Sequence, residues 1–376
     1  MSLHVVVAGS SGFLGTHLTS ALTREGHRVT SLVRRPAEHE GESTWDPYAG
    51  VYDRGVIDEA DVVVNLAGAP LVGNVHSKRW AQDVLESRVT TTRLLARAIA
   101  ESERPAAYLA GNGIAFYGSQ GDTVLTETSA STGDALLTTV TRRWEEAADP
   151  AREAGARVVV LRTSPVMDRQ SAPLGPVMLL FKRGIGGKLG KGTQHMPMIS
   201  LRDWVGAVLH LAADDDAHGP VNLCCVDTPT NAEFTRTLAS ALHRPAFARV
   251  PAKVLEVAAG PMAPELLGSV NARPQALLDQ GVDVVLAHTD STAPLAVLKE
   301  KGGLIPGGAL ELISEYLGSC RGAATTYSGN PVYYYGLTGV EDYRLQRGIK
   351  EPFVNFLVSA HRKQHEYPEN WCMEIM

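Results

Sequence analysis

Three glycines at positions 9, 12 and 15, in "VVVAGSSGFLG" (5–15), stand between an apolar run and a helix-like stretch. A chain that turns from strand to helix within so few residues needs positive φ, which glycine adopts at little cost. Bare backbone also lets a phosphate approach and lets the helix lie tight against the strand. The helix start then offers free N–H groups and a partial positive charge to a pyrophosphate. Glycines also mark ordinary tight turns. Here, however, strand, loop, helix and second strand follow in order within the first 34 residues. The pattern predicts a β-α-β dinucleotide-binding unit with Gly9, Gly12 and Gly15 at the cofactor phosphates.

The alternation continues well beyond that unit. "LHVVVAG" (3–9), "HRVTSLVR" (27–34), "ADVVVNLAG" (60–68), "AAYLAGNG" (106–113) and "ARVVVLRT" (156–163) read as strands. Segments 12–26, 81–101 and 138–155 between them read as helices. Strands made of nearly unbroken Val and Leu are buried on both faces, the mark of a parallel sheet covered by helices. The expected fold is α/β, a Rossmann doubly wound parallel sheet. Residues 1–163 would form its cofactor-binding domain. Residues 164–282, with helices at 200–214 and 230–243 and a strand at 219–226, would form a smaller substrate domain interleaved with the first. Residues 283–376 would be an extension of unknown role.

Composition excludes several classes of partner. Among 376 residues, 44% are hydrophobic and 20% charged, as in ordinary globular chains. A formal net charge of -6 without a dense Lys/Arg run argues against nucleic acid. No apolar stretch approaches the roughly 18 residues of a membrane span. No secretory signal pattern opens the chain, so the cytoplasm is the expected compartment. Cys224 and Cys225 read as small core residues, and no CxxC spacing suggests zinc. His361 and His365 are four apart, but no further ligands gather near them, so no metal is expected.

The second strand ends "TSLVRRP". An acidic residue there would bind ribose hydroxyls and favour NAD; Arg34 and Arg35 instead suit the 2′-phosphate of NADP. Two solvated surface arginines are the alternative. In "VNLAG" (64–68), small residues suit a strand exit over which a cofactor lies.

Taken together, GxxGxxG, "NLAG" and a strand leading to Tyr117-Gly118 resemble an extended short-chain dehydrogenase/reductase of the NAD-dependent epimerase/dehydratase type. More narrowly, "WDP" (45–47), "SRVTTTRLL" (87–95), "WEEAA" (144–148), "GKLGKGTQHMPMISLRDWV" (187–205) and "ARPQALLDQG" (272–281) resemble its sugar-nucleotide epimerase-like, or cell-division-inhibitor-like, subfamily. The resemblance covers residues 3–281. It implies a cofactor site lined by Gly9, Ser11, Gly12, Phe13, Leu14, Arg34, Arg35, Leu66, Ala67 and Gly68. It also places Gln194, Met198 and Asp203 in a motif that closes over the substrate cleft.

The chain departs from the family where proton transfer is usual. Asn112 and Gly113 stand where a Ser or Thr is common, and no Tyr-x-x-x-Lys dyad occurs anywhere. Tyr117 becomes the best remaining acid/base candidate, with Asn112 positioned to hold a carbonyl or water. Arg162 would sit under a substrate phosphate, or else pair with a carboxylate. Glu145 reads as a solvated helix residue, and Asp203 as a local cap or pair. Two functions stay open. One is an NADP-dependent epimerase or oxidoreductase acting on a nucleotide sugar or similar polar carbonyl. The other is a non-catalytic NADP-binding sensor or assembly factor. A homodimer is compatible with either.

Overall fold

The computed structural model describes residues 2–280, apart from 169, 172–173, 227 and 243, together with the antiparallel strands Ala323–Tyr327 and Asn330–Tyr334. His361 and His365 lie outside the described residues.

Strands β1 (His4–Ala8), β2 (Arg28–Val33), β3 (Glu42–Thr44), β4 (Val62–Asn65), β5 (Ala107–Gly113), β6 (Val158–Thr163) and β7 (Gly219–Leu223) form one sheet. Their order is β7-β6-β5-β4-β1-β2-β3, and every pairing is parallel. The chain moves outward in one direction from β1 to β3 and in the other from β4 to β7. The switch point therefore lies between β1 and β4, at the carboxyl ends where such sheets bind ligands. The expected doubly wound parallel sheet is the fold this chain adopts.

Period-two alternation distributes the apolar strands between two cores. Val5, Val7, Val62, Val64 and Leu161 face helices α1 (Phe13–Arg24) and, later in the chain, Leu201–Ala213. Val6, Ala8, Val63, Tyr108 and Val160 face α2 (Lys78–Ala100) on the other side. One helix is predicted over 138–155, but the chain forms two, α3 (Leu136–Glu146) and α4 (Asp149–Glu153). Pro150 accounts for the break: it has no N–H to donate, and its ring would collide with the Glu146 carbonyl in a continuous helix.

Beyond β6 the chain interleaves. Leu201–Ala213 and β7 complete the sheet layer, whereas Met167, Met178, Phe181, Met198, Phe234 and Leu238 form a separate apolar cluster. In that cluster the helix Asn231–Ala241 opens with a capping box, Thr230 Oγ1 accepting from Glu233 N–H and the Glu233 carboxylate accepting from Thr230 N–H. Cys224 and Cys225 are both buried. No helix among the described residues is long and apolar enough to cross a membrane.

Helix α1 seats on the sheet through Leu18 and Leu22, both fully buried. Replacing Leu18 with Ala should cost about 3 kcal/mol by urea unfolding. Ser20→Ala, on the exposed face of the same helix, should stay within about 0.5 kcal/mol.

Candidate functional site

The glycine loop is built by close approaches that no side chain survives. Gly9 has φ +81°, and a Cβ there would fall 2.7 Å from Leu66 C and 2.8 Å from Ala67 N. The first glycine is thus required by the chain leaving β4. A Cβ on Gly15 would come 2.7 Å from Ser10 Cα and closer still to the Gly9 carbonyl oxygen. Helix α1 lies that near the turn preceding it. Gly12 caps the helix with no side-chain acceptor, its own N–H donating to Gly9 O at 3.0 Å. No acidic residue occupies the first turn of α1. The N–H groups there face the loop without a protein anion, a cradle that fits a pyrophosphate in shape and sign.

The two arginines after β2 differ. Arg35 donates through both terminal nitrogens to Glu42, at 2.8 and 2.6 Å, and pairs with Glu38 at 3.3 Å. Its guanidinium holds the Glu42 carboxyl down to about 2. Arg34 is exposed and makes no hydrogen bond or ion pair among the described residues.

The exit from β4 is fixed by Asn65, whose Oδ1 accepts from Ala67 N–H at 3.0 Å while its amide donates to Thr92 Oγ1 at 2.9 Å. Beside this exit lies a residue that the sequence did not single out. Arg88, on α2, donates to the Ala69 and Val84 carbonyls, each at 3.0 Å, and lies 5.1 Å over the Trp144 ring. A Cβ on Gly68 would touch its side chain at 3.2 Å. Burial lowers the Arg88 pKa to about 10, and no carboxylate among the described residues answers its charge. It lies within the quoted "SRVTTTRLL" segment, but no spacing rule separates it from a surface arginine.

The expected catalytic residues turn inward. Tyr117 is fully buried; its hydroxyl donates to Asn222 Oδ1 at 2.7 Å and accepts from Arg162 at 2.9 Å. Burial, opposed by Arg162, pushes its pKa up to about 12. Both partners hold it in the interior, which does not suit an acid/base group. Asn112 is committed too, its amide donating to Thr141 O and its Oδ1 accepting from Gly113 N–H. Arg162 forms a two-pronged pair with Glu145, at 3.0 and 3.2 Å, and lies 3.6 Å over the Phe116 ring. The carboxylate pairing expected as its alternative is what the structure contains, so it is not free for a substrate phosphate. Glu145 is accordingly not a solvated residue.

Gln194 and Met198 are likewise buried. The Gln194 amide donates to Leu189 O and Leu266 O, tying separate segments together, and Met198 fills the second apolar cluster. Asp203 lies in the first turn of its helix, next to the Ser200 cap. Among the described residues no cluster of three or more potential ligands could hold a metal.

Comparison with known proteins agrees with this architecture. The model of the NAD dependent epimerase/dehydratase family matches residues 5–224. An epimerase family protein of Mycobacterium tuberculosis is 37% identical over 278 residues, 73% of this chain and 90% of its own length. The human epimerase family protein SDR39U1 is 34% identical over 263 residues, 69% of this chain and 87% of its own. A crystal structure of human SDR39U1 with NADPH has a TM-score of 0.66 at 32% identity, covering 75% of this chain and 94% of that one. A nucleoside-diphosphate sugar epimerase from Corynebacterium glutamicum has a TM-score of 0.65 at 27% identity, covering 98% of this chain and 68% of that one.

If the Tyr117 hydroxyl is structural, Tyr117→Phe should lower unfolding free energy by about 1–3 kcal/mol, because Asn222 and Arg162 each lose a buried partner. Calorimetric affinity for pyridine nucleotide should remain unchanged.

Proposed function

Because the chain belongs to the NAD dependent epimerase/dehydratase family, we propose that it binds NADP(H) across the switch point and transforms a nucleotide sugar or similar polar carbonyl compound. Gly9, Gly12 and Gly15, with the amides of Ser11, Phe13 and Leu14, hold the pyrophosphate. Leu66, Ala67 and Gly68 form the floor beside it. Arg88 supplies positive charge from the far side of the β4 exit, where its cation otherwise goes unanswered. When bound, the nicotinamide supplies or accepts hydride; the protein binds, orients and excludes water around it.

One observation carries the choice of NADP: Arg34, at the end of β2, is a guanidinium with no partner among the described residues. A phosphate on the adenosine ribose satisfies it, whereas a bare hydroxyl leaves most of its charge in water. The related human protein crystallised with NADPH supports the same choice. A sugar-nucleotide substrate draws support from the nucleoside-diphosphate sugar epimerase of C. glutamicum.

A second function, a non-catalytic NADP-binding sensor or assembly factor, is favoured by one specific feature. No Tyr-x-x-x-Lys dyad occurs in α3 or elsewhere in the sequence, and Tyr117 points inward. Turnover of a panel of nucleotide sugars and small carbonyls, followed by nicotinamide fluorescence, separates the two.

Binding calorimetry tests the cofactor assignment. Arg34→Ala should weaken NADPH by about 10-fold or more and leave NADH within about twofold, since a hydrogen-bonded charge contact contributes roughly 1.5–3 kcal/mol. Arg35→Ala should weaken NADPH less, because Arg35 is already engaged by Glu42. Arg88→Met should weaken both nucleotides alike. Equal loss of NADPH and NADH in Arg34→Ala would overturn the assignment.

A further inference from the structure

Residues 258–269 form a bridge over the carboxyl ends of β4 and β5. At one end, His76 in the loop after β4 donates from Nε2 to Ala258 O at 3.2 Å. A Cβ on Gly260 would lie 2.7 Å from that ring. At the other end, Ser269 N–H donates to Ser119 Oγ at 3.0 Å, and Ser269 Oγ donates to Gly121 O at 2.7 Å, both in the loop after β5. From above, the Gln194 amide holds Leu266 O at 3.0 Å. A segment pinned at both ends and once along its length thus roofs the carboxyl ends of β4 and β5, the side on which sheets of this topology bind ligands.

The roof contains one ionisable side chain, Glu265. It is half-buried and faces the first turn of α3, where the Leu137 amide favours its charged form. No charged side chain among the described residues of α3, of the loop holding His76 or of the Gln194 segment is set against it. Helix α3 is itself seated on the end of β5: Thr141 O accepts from Asn112, and a Cβ on Gly113 would meet Thr141 Cγ2 at 3.3 Å. Leu137 stands one helical turn, about 6 Å, further along.

We propose that Glu265 is the catalytic acid/base of this site, exchanging a proton with the oxygen of a carbonyl or alcohol substrate held beneath the roof. This rests on the cofactor reading above. As the carbonyl carbon gains hydride, Glu265 gives its proton to the carbonyl oxygen. The products are an alcohol, oxidised nicotinamide and ionised Glu265, which then takes a proton from water; the reverse direction runs the same transfers backwards. Burial raises the Glu265 pKa to about 7, so both protonation states are populated at neutral pH, as an acid/base group requires. Gln194 is a positioning residue, acting through Leu266.

Oxidised nicotinamide carries a positive charge and reduced nicotinamide does not, so the two cofactor forms report on a nearby carboxyl without any substrate. A cation within about 4–6 Å lowers a carboxyl pKa by a unit or more. Calorimetry at pH 7 in buffers of different ionisation enthalpy should therefore show a fraction of a proton more released with NADP+ than with NADPH. The adenosine and phosphates are common to both nucleotides and cancel. The difference should vanish in Glu265→Gln, which still binds both nucleotides, and persist in Glu265→Asp. Equal proton release for the two nucleotides in the unaltered protein would overturn the role of Glu265. Absence of binding heat for either nucleotide would instead overturn the cofactor reading.

Discussion

The first helix lies so close to the turn preceding it that Gly15 has no room for a methyl group beside Gly9 and Ser10. The exit of β4 presses on Gly9 from the neighbouring strand in the same way. These two contacts set the register of β1, α1 and β4 at the point where the strand order reverses. They leave the amino end of α1 lined by backbone, with neither an acidic residue in its first turn nor a side-chain cap to occupy its donors. A helix end in that condition attracts an anion. The proposed cofactor surface, from Arg34 to the Leu66–Gly68 exit, is arranged around it.

Charge distinguishes framework from binding surface. Arg162 and Arg88 are both drawn into the interior near strand ends, but Arg162 meets Glu145, Tyr117 and the Phe116 ring. Arg88 meets two carbonyls and a tryptophan face and, among the described residues, no carboxylate. A cation shielded from water and paired adds rigidity, while one left unanswered is strained until a ligand supplies the counter-charge. Glu265 is the complementary case, a half-buried carboxyl without a cation among the described residues. The two arginines after β2 divide along the same line, Arg35 belonging to Glu42 and Arg34 to solvent.

The sheet was legible because its strands are runs of valine, and a strand buried on both faces allows little else: Val5–Val7, Val62–Val64 and Val158–Val160 each identify themselves. Gly9 and Gly15 were legible because close approach at each leaves no room for a side chain. Strand β3 was missed, since three residues carry no period, and the break before Pro150 was read through as helix. The polar residues were harder. Sequence position located Tyr117, Asn112 and Arg162 at strand ends but could not reveal which way each side chain turns; Arg162 bonds Tyr117 inside, and Arg162 and Asn112 both bond Glu145. Arg88 and Glu265 gave no local signal at all. What makes each conspicuous is the absence of an opposite charge, a property of the assembled surroundings.

The central claim is that the first turn of α1 grips a pyrophosphate. Backbone amide NMR shifts of an isotope-labelled sample, followed during NADPH titration, test it most directly. The N–H signals of Ser11, Phe13 and Leu14 should move furthest and to saturation together, as the phosphate oxygens accept from them. If those three signals stayed still while others shifted, the nucleotide would be bound elsewhere and the account would be contradicted.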